Sequence, residues 1–146
     1  MKRAPILAWL LFVSACATTT PVTIRAGDIC FHCRRTITDP ALAAEVIAQS
    51  QHAFKFASVG CLALYLREHS TEEARAIFVT DYTRGKMLPA DDAYYVKMVV
   101  EPRTGAVDYA AFRSRENAVV FAQEHESQIV EWEQVLSDQG SGHAAH

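Results

Sequence analysis

The sequence predicts an α+β fold in which two similar ββαβ units, residues 28–88 and 89–136, pack together. Three observations predict it. Strand-like alternation and helix-like periodicity follow one another in the same order in both halves. Aromatic, capping and helix-face residues recur in register, so that Phe56, Ser58, Leu62 and Tyr65 return as Phe112, Ser114, Ala118 and Phe121. The chain between its polar ends is also long enough for one compact domain or two very small ones fused.

The ends are set aside first. Lys2 and Arg3 precede an apolar run at 6–13, about half of the ~20 apolar residues that a membrane-spanning helix needs. Val13-Ser14-Ala15-Cys16 then has the pattern of a bacterial lipoprotein signal. Residues 1–15 are read as a signal peptide whose removal leaves Cys16 as an acylated amino terminus. The protein is then expected in the cell envelope, held by membrane lipid and facing the periplasm or the exterior. Losing 15 of the 146 residues leaves 131 and takes Lys+Arg from 14 to 12 against 17 acidic residues, a net charge of −5. That balance argues against a nucleic-acid partner and against a polybasic lipid-binding surface. Residues 16–27, polar and threonine-rich, read as a tether, and 137–146, with Gly140 and Gly142, as a disordered tail.

Within 28–136 each element has its own signal. Residues 43–48 and 52–56 form a strand pair around Gln49-Ser50-Gln51, because Phe54 and Phe56 alternate with polar or small residues. Ser58 is an N-cap residue type, and Leu62, Tyr65 and Leu66 then fall on one helical face. Residues 75–80 supply the third strand. The second half repeats this order with strands at 94–100 and 106–112, a helix capped by Ser114 and running to Gln123, and a last strand at 128–136. One position breaks the parallel: Cys61 corresponds to Asn117, so only the first unit carries thiols.

Beyond Cys16 the chain keeps three thiols, two in a Cys30-Phe31-His32-Cys33 knuckle and Cys61 near a helix start. A pure disulfide framework would leave one sulfur over, whereas a soft metal ion held by thiolates uses all three. Two cysteines on a tight turn point at one ion, and a third on the first helical turn half-closes the cage. There the helix macrodipole and free N–H groups favour thiolate over thiol. His32 is a weaker fourth ligand candidate, and Met87, in the turn-like 84–89 segment, a weaker soft one. Met98 shares a strand side with Tyr94, Val96 and Val100 and is assigned to packing. His143 and His146 are read as solubilising, His52, His69 and His125 as surface residues, and Asp81 and Asp92 as loop and turn residues. Two other readings of the knuckle stay open. It is a thiol–disulfide redox centre, although Arg34-Arg35-Thr36-Ile37-Thr38-Asp39-Pro40 follows it in place of the long helix expected there. Or it is structural, held by a Cys30–Cys33 disulfide or by zinc, with Cys61 a small buried hydrophobe.

In order along the chain come Cys30-x-x-Cys33, Thr38-Asp39-Pro40, Phe56-Ala57-Ser58-Val59-Gly60-Cys61-Leu62, Val79-Thr80-Asp81-Tyr82, Asp92-Ala93-x-Tyr95-Val96 and Ala111-Phe112-Arg113-Ser114, then 118–121. Over residues 28–136 this resembles the NosL family, lipoprotein accessory factors of nitrous-oxide reductase. The resemblance implies a lipid-anchored, periplasm-facing protein of two ββαβ halves that binds Cu(I) and passes it between copper donor or acceptor proteins of a maturation complex. It implies no enzymatic activity. Zinc remains a possible alternative metal. Two departures stand out. The family's Cys-x-x-Cys-Gly-Met becomes Cys33-Arg34-Arg35, with a guanidinium in place of the thioether. The family's Pro-Met-Gly segment becomes Pro102-Arg103-Thr104-Gly105, so the ligand set that carries over is Cys30, Cys33 and Cys61, with His32 weaker.

Overall fold

In the computed structural model residues 18–138 are described, so the expected signal peptide, Cys16 and residues 139–146 lie outside the described residues. A strand–strand–helix–strand order occurs twice. In the first unit β1 (Ala44–Ala48) and β2 (Ala53–Phe56) form a hairpin, α1 (Val59–His69) follows, and β3 (Ala74–Thr80) returns beside β1. A short β4 (Met87–Pro89) extends this sheet to the order β2-β1-β3-β4. In the second unit β5 (Tyr94–Glu101), β6 (Ala106–Phe112), α2 (Arg115–Glu124) and β7 (Ile129–Val130) form a sheet of order β6-β5-β7. All these pairings are antiparallel, and the first hairpin strand is internal in both sheets.

The end of the chain departs from expectation. Only Ile129 and Val130 pair with β5, and α3 (Trp132–Asp138) takes the rest of the strand expected at 128–136. Trp132 and Val135 are three residues apart, so a strand would send them to opposite faces, whereas a helix puts both on one face. Both are buried there, with Trp132 stacked on Tyr95 at a centroid distance of 5.5 Å. Ser137 and Asp138, expected in the tail, complete this helix. The Asp138 carboxylate accepts from Lys97 Nζ at 3.1 Å and from the Tyr109 hydroxyl at 3.2 Å.

The second sheet is covered on both faces. Tyr95, Tyr109 and Ala111 join a core shared with Phe56, Leu62 and Val79 of the first unit. Val96, Ala110 and Phe112 turn the other way into a smaller cluster with Ala118 and Ala122 of α2, where half-buried Met98 also packs. Helix α1 fills the space between β1, β2, β6 and α3. At about 1.5–3 kcal/mol for each fully buried large side chain, this shared core holds the two units together.

The repeat extends into the turns that precede the hairpins. The bridge between Ile29 and Thr36 recurs as the pair Thr80 and Met87. The bond from Cys30 N–H to Arg35 O (2.9 Å) recurs from Asp81 N–H to Lys86 O (2.8 Å), and that from Arg34 N–H to Cys30 O (3.0 Å) from Gly85 N–H to Asp81 O (2.8 Å). Arg34 and Gly85 both take the left-handed backbone, at φ 61° and 64°. Buried Ile37 and Leu88 follow, and then one 3-10 turn each, Pro40–Leu42 and Ala90–Asp92. Matching residues are offset by 51 at the turn (30 to 81) and by 56 at the helix cap (58 to 114), because the β5–β6 hairpin is the longer of the two.

Candidate metal centre

The knuckle is shaped by its own backbone and pinned by one aromatic ring. Beyond the two turn bonds, Phe31 N–H donates to Lys55 O at 2.7 Å, tying the turn to the end of β2. The Phe31 ring lies on Phe54, Phe56 and Tyr65, with centroids 4.4, 6.4 and 5.7 Å away. Upstream, Lys55 Nζ reaches the Asp28 carboxylate at 2.7 Å, and that bond and the Arg25 N–H hold Asp28 below the usual carboxylate range. With the turn fixed this way Cys30 points into the core, fully buried, and Cys33 stays partly exposed.

Cys61 arrives from the other side. Ser58 caps α1, its hydroxyl accepting from Cys61 N–H at 3.2 Å, which makes Cys61 the third helical residue. Between them Gly60 N–H donates to Asp108 Oδ1 of β6 at 2.9 Å, so a carboxylate from the second unit sits at the positive end of α1. The sulfurs of Cys30, Cys33 and Cys61 all lie within 4.8 Å of one another, and all three thiols are free. An ion bound at the metal–sulfur distance of about 2.3 Å seen for zinc thiolates would hold three sulfurs about 4 Å apart, so small side-chain shifts suffice.

The three thiols are not equivalent. Burial acts to raise Cys33, but the Arg35 N–H, the Arg35 guanidinium and the other two thiols outweigh it and hold Cys33 at about 7. Cys61 is pushed up to about 12 by burial and by the neighbouring Cys30 sulfur, against the Ser58 hydrogen bond, so the thiolate expected at this helix start is overturned by desolvation. At neutral pH Cys33, at the open edge of the apo centre, is therefore the thiol nearest to ionisation, about half thiolate, while Cys61 deeper in stays protonated. Beside Arg35 and Cys61 opens a groove of about 740 Å³, walled by Ser58, Gly60, Val100 and Asp108.

A family model for NosL matches residues 21–139. The chain belongs to the NosL family. Its fold is similar to that in the crystal structure of the copper chaperone NosL from Shewanella denitrificans, with a TM-score of 0.65 at 13% identity over 79% of this chain and 94% of that one. No curated protein matches the chain.

In this NosL chain Arg35 stands where the resemblance implied a methionine, and its guanidinium favours the Cys33 thiolate, so a cation is supplied where a thioether ligand was expected. Neither weaker ligand candidate joins the sulfurs. His32 Nδ1 faces Glu68 at 3.9 Å, further along α1, and among the described residues the His, Cys, Asp and Glu donors that converge are Cys30, Cys33 and Cys61 alone. Met87 closes the second turn, with its sulfur 3.3 Å from the Thr80 hydroxyl. That second turn has the knuckle's backbone but none of its sulfurs. Asp81 replaces Cys30, Arg84 replaces Cys33 and Asn117 replaces Cys61. Asp81 is buried and its carboxylate accepts from Thr83 N–H at 3.0 Å, while Asn117 Nδ2 reaches Thr83 Oγ1 at 3.5 Å. Tyr82 repeats Phe31, its N–H donating to Ala111 O and its ring lying on Phe112 and Phe121. Sequence reading missed this twin, and it missed Asp108. The Tyr82–Arg84 stretch was the available signal, masked by the change in offset.

Proposed function

We propose that this protein is a lipid-anchored carrier of Cu(I), held at the membrane through acylated Cys16, which delivers copper to a cuproenzyme maturation system such as that of nitrous-oxide reductase. The observation that carries the reading is the convergence of three free sulfurs from two separate elements within 4.8 Å. Thiolates suit a soft monovalent ion, and three donors satisfy it, whereas a structural zinc ion takes four. Family membership supports the same reading, as does the likeness to a copper chaperone. Cargo must also leave. Cys33 stands partly exposed beside Arg35 and the groove, so an incoming ligand meets a thiolate at the edge while Cys30 and Cys61 hold the ion from within. Binding displaces the proton of Cys61, so loading weakens as pH falls. The chemistry is capture and exchange of an ion, with no bond of a substrate made or broken, so the protein is not an enzyme.

The test is anaerobic Cu(I) titration of the mature chain carrying Cys16→Ser against a competing chelator, repeated with Cys30→Ser, Cys33→Ser and Cys61→Ser. Tight binding that falls in all three variants supports the carrier. Binding that survives all three refutes it, and reduction of a disulfide substrate by the metal-free protein would favour redox chemistry instead.

A further inference from the structure

Residues 18–27 lie along the folded body. Arg75 Nε donates to Thr19 Oγ1 at 3.0 Å, and three residues on, Val22 N–H donates to both carboxylate oxygens of Glu45 at 3.2 and 3.0 Å. Ile24 then packs on the main core. Glu45 is fully buried on the internal strand β1. Taking a carboxylate out of water is costly unless donors meet it, so the Val22 contact makes this segment part of the fold.

The contacts also give the segment a direction. Arg75 stands at the start of β3, and Glu45 pairs with Phe78 three residues further along the same strand. The segment therefore runs with β3, from the Arg75 end toward the end where Val79 faces Ala44 and Ala44 faces Phe56. Helix α1 starts just beyond Phe56, and the knuckle is bonded to Lys55, so the three sulfurs lie at that far end. Four strand residues separate Arg75 from Val79, about 13 Å. At the near end a groove of about 620 Å³ is lined by Thr18, Arg75, Phe78, Trp132 and Leu136, among others. Only Ala17 stands between Cys16 and Thr18, a reach of about 7 Å for the two steps.

We infer that the near end, formed by Thr18, Arg75 and the groove floored by Trp132 and Leu136, is the surface that rests on the lipid bilayer. The segment 18–24 acts as a strap that turns the three sulfurs away from the lipid, toward partners in the aqueous phase. The inference rests on the anchor proposed at Cys16. The occupant is lipid because the chain leaves the body at this end with too little slack to place its acyl group elsewhere. A net charge of −5 on the mature chain leaves the acyl group, not a basic patch, to provide the attraction.

Removal of the signal peptide leaves Trp132 as the one tryptophan of the mature chain, since the other is Trp9. The processed, acylated protein is bound to phosphatidylcholine vesicles carrying a nitroxide at the lipid headgroup, and its emission is compared with that of Trp132→Phe/Val100→Trp, which places the indole on the groove that Cys61 also lines. The expected result is loss of Trp132 emission with retention at position 100. A flexible Gly-Ser insertion between Ala17 and Thr18 should restore Trp132 emission by lengthening the leash. Equal quenching at both positions, quenching at position 100 alone, or quenching at neither in vesicle-bound protein overturns the inference. An intact mass without acyl chains overturns the anchor itself, which separates that failure from this one.

Discussion

Replacing Arg35 with methionine tests the electrostatic account of the centre. In the folded apo-protein Cys33 titrates at about 7 against an ordinary 9.0, with burial acting upward and the Arg35 N–H and guanidinium prevailing downward. A group whose folded pKa is depressed contributes stability that is present above its unfolded value and lost as pH falls through the folded one. At about 1.36 kcal/mol per unit, and discounted for the partial exposure of Cys33, the step from pH 9 to pH 7 would remove roughly 1–2 kcal/mol. Cys61 acts with the opposite sign. Raised to about 12, its contribution is complete below 9.0 and lost as pH rises through the folded value. From the thiols alone, apo-protein stability therefore peaks near pH 9. Arg35→Met removes the guanidinium but keeps the backbone N–H, so the rise between pH 7 and 9 should shrink by about half while the decline above 9 remains. Urea unfolding under anaerobic, reducing conditions measures both limbs, and iodoacetamide alkylation of Cys33 at neutral pH gives a second readout. An unchanged rise together with an unchanged alkylation rate refutes the role given to the guanidinium.

Three further predictions concern the frame around the centre. Glu45→Gln keeps an acceptor for Val22 N–H and removes a charge that burial holds above its usual pKa, so stability at neutral pH should increase by about 1 kcal/mol in urea unfolding; a decrease contradicts this. In Gly60→Ala the new Cβ would lie 3.0 Å from Asp108 Oδ1, costing a charge-assisted bond worth roughly 1.5–3 kcal/mol against a helix-propensity gain of about 1, so a net loss of about 1 kcal/mol is expected from the same assay. Phe31→Ala and Tyr82→Ala remove matching rings, each 38–40% exposed, and should each cost about 2 kcal/mol. Only Phe31→Ala should also weaken Cu(I) binding in chelator competition; equal weakening by both would detach the aromatic pin from the metal centre.

The parts of the fold that follow local rules were legible. Phe54 and Phe56 alternate along β2, Ser58 and Ser114 cap their helices, and the shared spacing of helix-face residues in α1 and α2 reported the duplication. The meeting of the knuckle with the start of α1 followed from the same logic, since a hairpin that ends at Phe56 delivers Cys61 back beside the turn that precedes it. What stayed hidden depends on distant covering. Glu45 reads as a solvent-facing strand residue, yet its face is covered by residues 18–24, which have no periodicity to announce them. Trp132, Val135 and Leu136 sit close to strand-like glutamate alternation, and only the helical packing against Tyr95 and α1 decides between the two readings. Asp108 lies 48 residues from the N–H it meets, and no local pattern links them.

The twin turn, which carries no cysteine, has a consequence for how cargo is handed on. Residues 80–87 hold the same loop with aspartate, arginine and a distant asparagine, so backbone bonding and one seated ring are enough to shape it. By that measure the knuckle keeps its form when empty. An ion can then arrive and depart without the surrounding chain having to fold or unfold, and the work of each transfer is confined to ligand exchange at the rim.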